Sequence, residues 1–321
     1  MKNGRIVLAG GSGFLGNLLS SYFTEREYGV IVLTRFPNRN SGLAKEVHWD
    51  AQTLGPWAKH LDGARAVINL AGRSVNCRYN ESNRRAILAS RVNSTRVLGQ
   101  AIERCAKAPL IWLNSSTATI YKHSLERAMD EQGEIGATPE ARDAFSVHVA
   151  REWERALDLA HAPATRKVAL RTAMVLGTQP GSVLEVLRRL VRAGLGGRMA
   201  SGQQYVSWIH QEDFCRAIEW LINQENFQGA VNISAPNPVS NRDLMSSLRG
   251  ACGKSFGLPA TRWMLELGAF FMRTETELII KSRRVVPGRL LGAGFDFQFP
   301  KLQDALADLV PKMGWPHRIP N

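Results

Sequence analysis

Cysteine is scarce in this chain and what there is lies scattered: Cys77, Cys105, Cys215 and Cys252 form no C-x-x-C pair and no Cys/His spacing of a zinc module. A disulfide scaffold and a structural zinc site are set aside, and reduced thiols in a cytoplasmic compartment are expected. Long apolar runs are missing as well. None approaches the ~18 residues that span a bilayer. The opening stretch MKNGRIVLAGG carries an apolar core, Ile6 to Ala9, too short for a signal peptide. No membrane partner is expected. Acidic residues are few: 28 Asp and Glu face 41 Lys and Arg, a net charge of +13. The basic excess is dispersed, with no dense run interleaved with aromatics, so nucleic acid is not an expected partner. The nearest approach, Lys281, Arg283 and Arg284, reads as a solvated helix face. The charge favours instead a ligand that bears phosphate.

The 321 residues suit one large α/β unit, or a main domain with a smaller companion. A hydrophobic share of 44% and a charged share of 21% are those of an ordinary globular protein. Strand-like and helix-like segments alternate through the first half. Strands are predicted at Arg5–Ala9, Val30–Thr34, Glu46–Trp49, Ala66–Leu70, Leu110–Asn114 and Lys167–Thr172. Helices are predicted at Phe14–Arg26, from about Asn80 to Cys105, and at Phe145–Ala160. Continuous apolar runs such as Ala66–Leu70 are what a parallel sheet buries on both faces. After about Val175 glycine and proline become dense and the alternation is lost, with helices at Val183–Arg192, Asp213–Asn223, Arg242–Cys252 and Thr261–Phe271. The expected architecture is α/β: a Rossmann-type doubly wound parallel sheet over residues 1–175, followed by a smaller, mostly helical cap over 176–321.

The run Ala9-Gly10-Gly11-Ser12-Gly13-Phe14-Leu15-Gly16 follows the first strand and opens the first helix. Glycines at three-residue spacing there allow a tight turn, close approach of backbone to a pyrophosphate, and close helix–strand packing. The helix N-terminus supplies unpaired N–H groups to the phosphates. Gly10, Ser12, Gly13, Phe14, Leu15 and Gly16 are therefore candidate cofactor contacts. At the end of the second strand an NAD site carries an acid for the ribose 2′-OH. This chain has Thr34-Arg35, with no acid nearby until Glu46. A guanidinium can bind a 2′-phosphate that a carboxylate would repel, so NADP(H) is the expected cofactor. The alternative is that Arg35 is an ordinary loop arginine.

The GGSGFLG loop, Asn69-Leu70-Ala71-Gly72 and Ser90-Arg91-Val92-Asn93-Ser94-Thr95 resemble the extended short-chain dehydrogenase/reductases, the superfamily of nucleotide-sugar epimerases and dehydratases. Gly194-Leu195-Gly196-Gly197, Ser201-Gly202-Gln203-Gln204, Trp208-Ile209-His210 with Asp213, Val285-Val286-Pro287-Gly288-Arg289-Leu290 and Gly294-Phe295 narrow the likeness to an atypical epimerase-like subgroup with its own C-terminal extension. The resemblance implies that Leu70 and Ala71 line the adenosine side, that Gly72 lets the chain pass close, and that Arg91 contacts the cofactor. It further implies that Asp50 lies near adenine, unless it only makes a turn, and that the Val175 backbone borders the nicotinamide.

The superfamily's chemistry rests on a tyrosine with a lysine four residues later, and on a Ser/Thr that holds the substrate oxygen. Thr117 matches the last. The pair is missing, because none of the five tyrosines has lysine four residues on, and Phe145 and Val149 stand at the two matching places. Tyr121, four residues past Thr117, is the candidate replacement acid, and His148 is a second by residue type. His210 reads as ordering the contact between cap and sheet. Three functions are compatible with these residues: an NADP(H)-dependent oxidoreductase or epimerase with displaced acid–base groups on a small carbonyl or sugar-like substrate, an NADP(H)-binding sensor without turnover, and a protein that uses its basic surface on nucleic acid. The intact loop and Thr117 favour the first two.

Overall fold

The computed structural model describes residues 3–37, 44–271 and 275–314. The chain opens with β1 (Arg5–Ala9), α1 (Phe14–Glu25), β2 (Gly29–Thr34), β3 (Lys45–His48), β4 (Ala66–Asn69), α2 (Glu81–Glu103) and β5 (Ile111–Thr117). It continues through α3 (Ala144–Asp158), β6 (Arg166–Thr172), β7 (Met174–Leu176), α4 (Val183–Arg192), β8 (Tyr205–Val206), β9 (Trp208–His210), α5 (Gln211–Asn223) and β10 (Gly229–Ile233). The remainder is β11 (Val239–Ser240), α6 (Asn241–Ala251), α7 (Arg262–Phe271), α8 (Glu277–Ile280), α9 (Gly288–Gly292) and α10 (Leu302–Lys312).

Seven strands form one parallel sheet in the order β10-β6-β5-β4-β1-β2-β3, the doubly wound arrangement that the alternation predicts. The central strands β1 and β4 are apolar because helices cover both faces. On one side Leu19 and Phe23 of α1 meet Phe214 and Ile218 of α5. On the other, Val97 and Leu98 of α2 pack with Trp112 and with Leu157 of α3. Packed against both sheet and α3, α2 also buries Ile87, Ser94 and Ala101.

One feature differs from the sequence expectation. The sheet does not end near residue 175, because β10 pairs in parallel with β6, Val231 beside Leu170. Its short apolar run is interrupted by Asn232, which tertiary contacts bury completely, so no local pattern marks it as a strand. The region beyond β6 is mostly helical, as expected, and adds two short strand pairings, β7 with β9 and β8 with β11. A separate core there joins Leu184 and Leu187 of α4, Leu244 and Leu248 of α6, and Leu302, Leu306 and Leu309 of α10.

Lys281, Arg283 and Arg284 do not form a solvated helix face. Lys281 is 2% exposed, paired with Asp143 at the start of α3 and bonded to the Thr119 carbonyl. A lysine this deep stays charged only beside a carboxylate, which the sequence spacing does not reveal. His210 ties together parts of the C-terminal region rather than cap to sheet: Nδ1 accepts from the Glu212 amide at 3.1 Å, Nε2 meets Asp308 of α10 at 3.2 Å, and the ring stacks on Phe299. His148 is exposed on α3.

Candidate active site

Connections leave β1 and β4 in opposite directions, and such a switch point opens a crevice at the C-terminal ends of the strands. Gly10 follows β1 and Leu70 follows β4. Gly10 has φ +75°, and a Cβ there would lie 2.6 Å from the Ala71 Cα, so glycine alone fits. A Cβ at Gly16 would collide with the Gly11 carbonyl, which is how α1 seats so closely on its own loop. Gly13 is different, since a Cβ there meets nothing within 4 Å. The residue faces open cleft. No side chain caps α1 and its first turn holds no acid, so its unpaired N–H groups and the positive end of the helix dipole are available to an anion.

Below the loop, Asn69 shapes the opposing turn. Its Nδ2 donates to Asn114 Oδ1 at 2.7 Å, while its Oδ1 accepts from the Ala71 amide at 3.1 Å. This fixes Leu70, Ala71 and Gly72 across from the glycines. Two lobes run outward from there, sharing Gly10, Gly13 and Leu70 as wall. One, about 570 Å³, lies at the ends of β2 and β3 and is lined by Ser12, Thr34, Arg35, Asp50, Ala71 and Gly72. The other, about 540 Å³, lies over the ends of β5 and β6 and against α3, lined by Phe14, Leu15, Gly16, Arg91, Thr117, Phe145 and Val149. A loop that offers free helix N–H groups, with a lobe on either side of it, fits a dinucleotide, with pyrophosphate at the loop and a nucleoside half in each lobe.

The fold thus gathers every candidate cofactor contact except Val175, which is 6% exposed in the core and lines neither lobe. Thr172 and Ala173 supply that wall instead, because the chain dives into the β7–β9 pairing at Met174. Asp50, which the resemblance puts near adenine, lies in the outer lobe. It joins Arg35 in the wall, but its carboxylate is turned to Thr53 and to the Gln52 amide, and those hydrogen bonds hold its pKa down at about 2. Arg91 lines the inner lobe, with Nη1 committed to the carbonyls of Arg73 and Ile87, both at 3.1 Å. Burial pulls its pKa down to about 10.

Tyr121 is not in the cleft. After Thr117 the chain makes a 3-10 turn, Ala118–Ile120, which carries the tyrosine under the sheet edge among Met129, Ala150 and Val285. It is 2% exposed. Its hydroxyl donates to Asn232 Oδ1 at 2.8 Å and accepts from Arg171 Nη1 at 2.8 Å. Tyr121→Phe is therefore expected to cost stability, about 1–3 kcal/mol for the partners left unpaired, and to leave ligand binding alone. Urea unfolding alongside a binding titration checks this, and a mutant of normal stability with altered binding would contradict the placement.

Phe145 and Val149 sit one turn apart on α3 and both face the inner lobe, so no phenol and ammonium meet there. Sequence reasoning missed Tyr79 and Ser146, which line the same lobe. Tyr79 comes from the irregular stretch between β4 and α2, where neither periodicity nor motif marks it.

A model of the NAD dependent epimerase/dehydratase family matches residues 6–234, and one of a domain of unknown function (DUF1731) matches residues 260–309. The chain is 30% identical over 318 residues to the epimerase family protein Mb2239 of Mycobacterium bovis, covering 98% of this chain and 100% of that protein. It is likewise 30% identical over 310 residues to the epimerase family protein YfhF of Bacillus subtilis, covering 95% of this chain and 97% of that one. The crystal structure of human epimerase family protein SDR39U1 (isoform2) with NADPH superposes with a TM-score of 0.82 at 27% identity, over 96% of this chain and 99% of that one. With its glycine loop at the switch point, and with matches running nearly end to end, the chain belongs to the NAD dependent epimerase/dehydratase family.

Proposed function

We infer that the cleft holds NADPH and that the chain acts as an NADP(H)-dependent oxidoreductase on a small carbonyl or sugar-like substrate, in a cytoplasmic setting. The observation that carries this reading is the uncapped α1 N-terminus between two lobes, with the exposed Arg35 guanidinium at the rim of the outer one. The human relative crystallised with NADPH supports it. In this reading the first turn of α1 takes the pyrophosphate, Leu70 and Ala71 take the adenosine side, and Arg35 takes the 2′-phosphate. When bound, the cofactor supplies a hydride equivalent in the inner lobe, where Thr117 holds the substrate oxygen. Phe145 and Val149 favour a second reading, an NADP(H) sensor without turnover, because they cannot donate protons. Neither reading needs nucleic acid or a membrane.

NADPH is expected to bind more tightly than NADH by roughly ten- to a hundred-fold, the worth of a charge-assisted contact of about 1.5–3 kcal/mol. Arg35→Glu should erase that preference. Fluorescence titration of both cofactors against both proteins tests it, and equal affinities in the wild type would remove the assignment of Arg35.

A further inference from the structure

The inner lobe lacks a proton donor on α3, yet it holds one from elsewhere. Tyr79 lines the lobe, with its ring edge-on to Phe145 at 5.0 Å between centroids. Its hydroxyl is buried without a hydrogen-bond partner among the described residues. Ser146, which also lines the lobe, stands beside it, but the Ser146 hydroxyl is turned to the Glu277 side chain of α8. A buried hydroxyl without a partner costs free energy and calls for an explanation, and a substrate oxygen would satisfy it.

We propose that Tyr79 is the acid–base group of this cleft, donating its phenolic proton to a substrate carbonyl oxygen held between it and Thr117, with Ser146 and Glu277 restoring that proton. The proposal rests on the NADPH-dependent reading above. On reduction a C–H bond forms at the carbonyl carbon and the C=O π pair moves onto oxygen. That oxygen takes the proton as the Tyr79 O–H bond breaks. The phenolate then takes a proton from Ser146, Ser146 takes one from Glu277 in its protonated form, and Glu277 regains it from a solvent hydronium ion, so that one solvent proton is consumed for each carbonyl reduced. The carbonyl is reduced and the dihydronicotinamide oxidised. Burial, reinforced by Glu277 in its ionised form and opposed by Ser146, pushes the Tyr79 phenol up to about 12, so it is a protonated donor at neutral pH. Burial likewise raises the Glu277 carboxyl, Ser146 opposes it, Asp143 adds to it, and Arg283 and Lys281 oppose it. Glu277 lies within the segment that matches the domain of unknown function. That segment also fixes Tyr79, since Glu275 accepts from the Tyr79 amide at 2.8 Å.

The test uses the full chain loaded with NADPH and para-nitrobenzaldehyde as the carbonyl probe, following loss of dihydronicotinamide absorbance. Tyr79→Phe is expected to slow the step by a factor of ~10² to 10⁴, with the NADPH dissociation constant and the unfolding midpoint unchanged. Ser146→Ala and Glu277→Gln should bind NADPH normally, and Glu277→Gln should flatten the fall in rate as pH rises through the carboxyl. Fluorotyrosine labelling gives a readout without turnover. Of the five tyrosine resonances, the one missing in Tyr79→Phe should move when NADPH is added. Turnover in Tyr79→Phe within twofold of wild type, or no turnover by an NADPH-bound wild type, or a Tyr79 resonance indifferent to NADPH, would each overturn the proposal. Failure of the wild type to bind NADPH at all would instead overturn the reading beneath it.

Discussion

Replacing Gly13 with valine is expected to abolish NADPH binding while leaving the fold intact. Most glycine-loop substitutions break the loop itself, as a side chain at Gly10 or Gly16 would by striking the Ala71 backbone or the Gly11 carbonyl. Gly13 separates the two effects. Its φ of −93° suits any residue, and a Cβ there meets nothing within 4 Å. The cost to the protein is limited to a poorer N-cap, about 1 kcal/mol. The cost to the ligand is larger, because the valine methyls fill the space through which the pyrophosphate reaches the first N–H groups of α1. Losing two charge-assisted hydrogen bonds at about 1.5–3 kcal/mol each weakens binding by more than roughly a hundred-fold. Thermal melting with an NADPH titration decides the matter. A variant that melts normally and still binds at wild-type strength would falsify the loop's role.

Glu154→Ala should be among the most destabilising single changes in the molecule. Arg171 of β6 and Glu154 of α3 form a two-pronged pair, Nε to Oε1 at 2.9 Å and Nη2 to Oε2 at 2.8 Å, with side chains only 7% and 14% exposed. Burial alone would drive the Arg171 charge out, and the Glu154 carboxylate reverses that, leaving its pKa raised. Oε1 of the same carboxylate also accepts from Ser116 Oγ at 2.6 Å, tying the strand that carries Thr117 to α3. Removing Glu154 strands a buried guanidinium, at a cost of about 3–5 kcal/mol. Glu154→Gln keeps the shape and one acceptor and should lose less. Urea unfolding measures both. A loss near 1 kcal/mol for the alanine variant, the worth of an exposed pair, would mean that water reaches this site.

Much of the frame was legible because it is written in local patterns. Apolar runs located β1, β2 and β4, and helical periodicity located α1, α2 and α4 within a residue or two. The Ser115-Ser116-Thr117 end of β5 escaped notice because strand residues at the mouth of a cleft are polar, which ends an apolar run three residues early. The glycine loop and Arg35 were readable for the same local reason: their spacing relative to a strand end fixes where they lie.

Local sequence patterns were enough for the family, the dinucleotide loop, the missing Tyr-x-x-x-Lys pair, and the sheet as far as β6. Which side chains share the inner lobe depends instead on long-range packing. Tyr121 and Tyr79 both lie in irregular stretches, whose paths follow long-range contacts rather than periodicity. Tyr121 was drawn under the sheet by Arg171 and Asn232, 50 and 111 residues away. Tyr79 is held at the lobe in part by Glu275, 196 residues further on. Buried hydrogen bonds and ion pairs of that kind outweigh any local preference where no regular element constrains the backbone, because an unpaired polar group inside the protein costs more than the loop's own conformational choices can return.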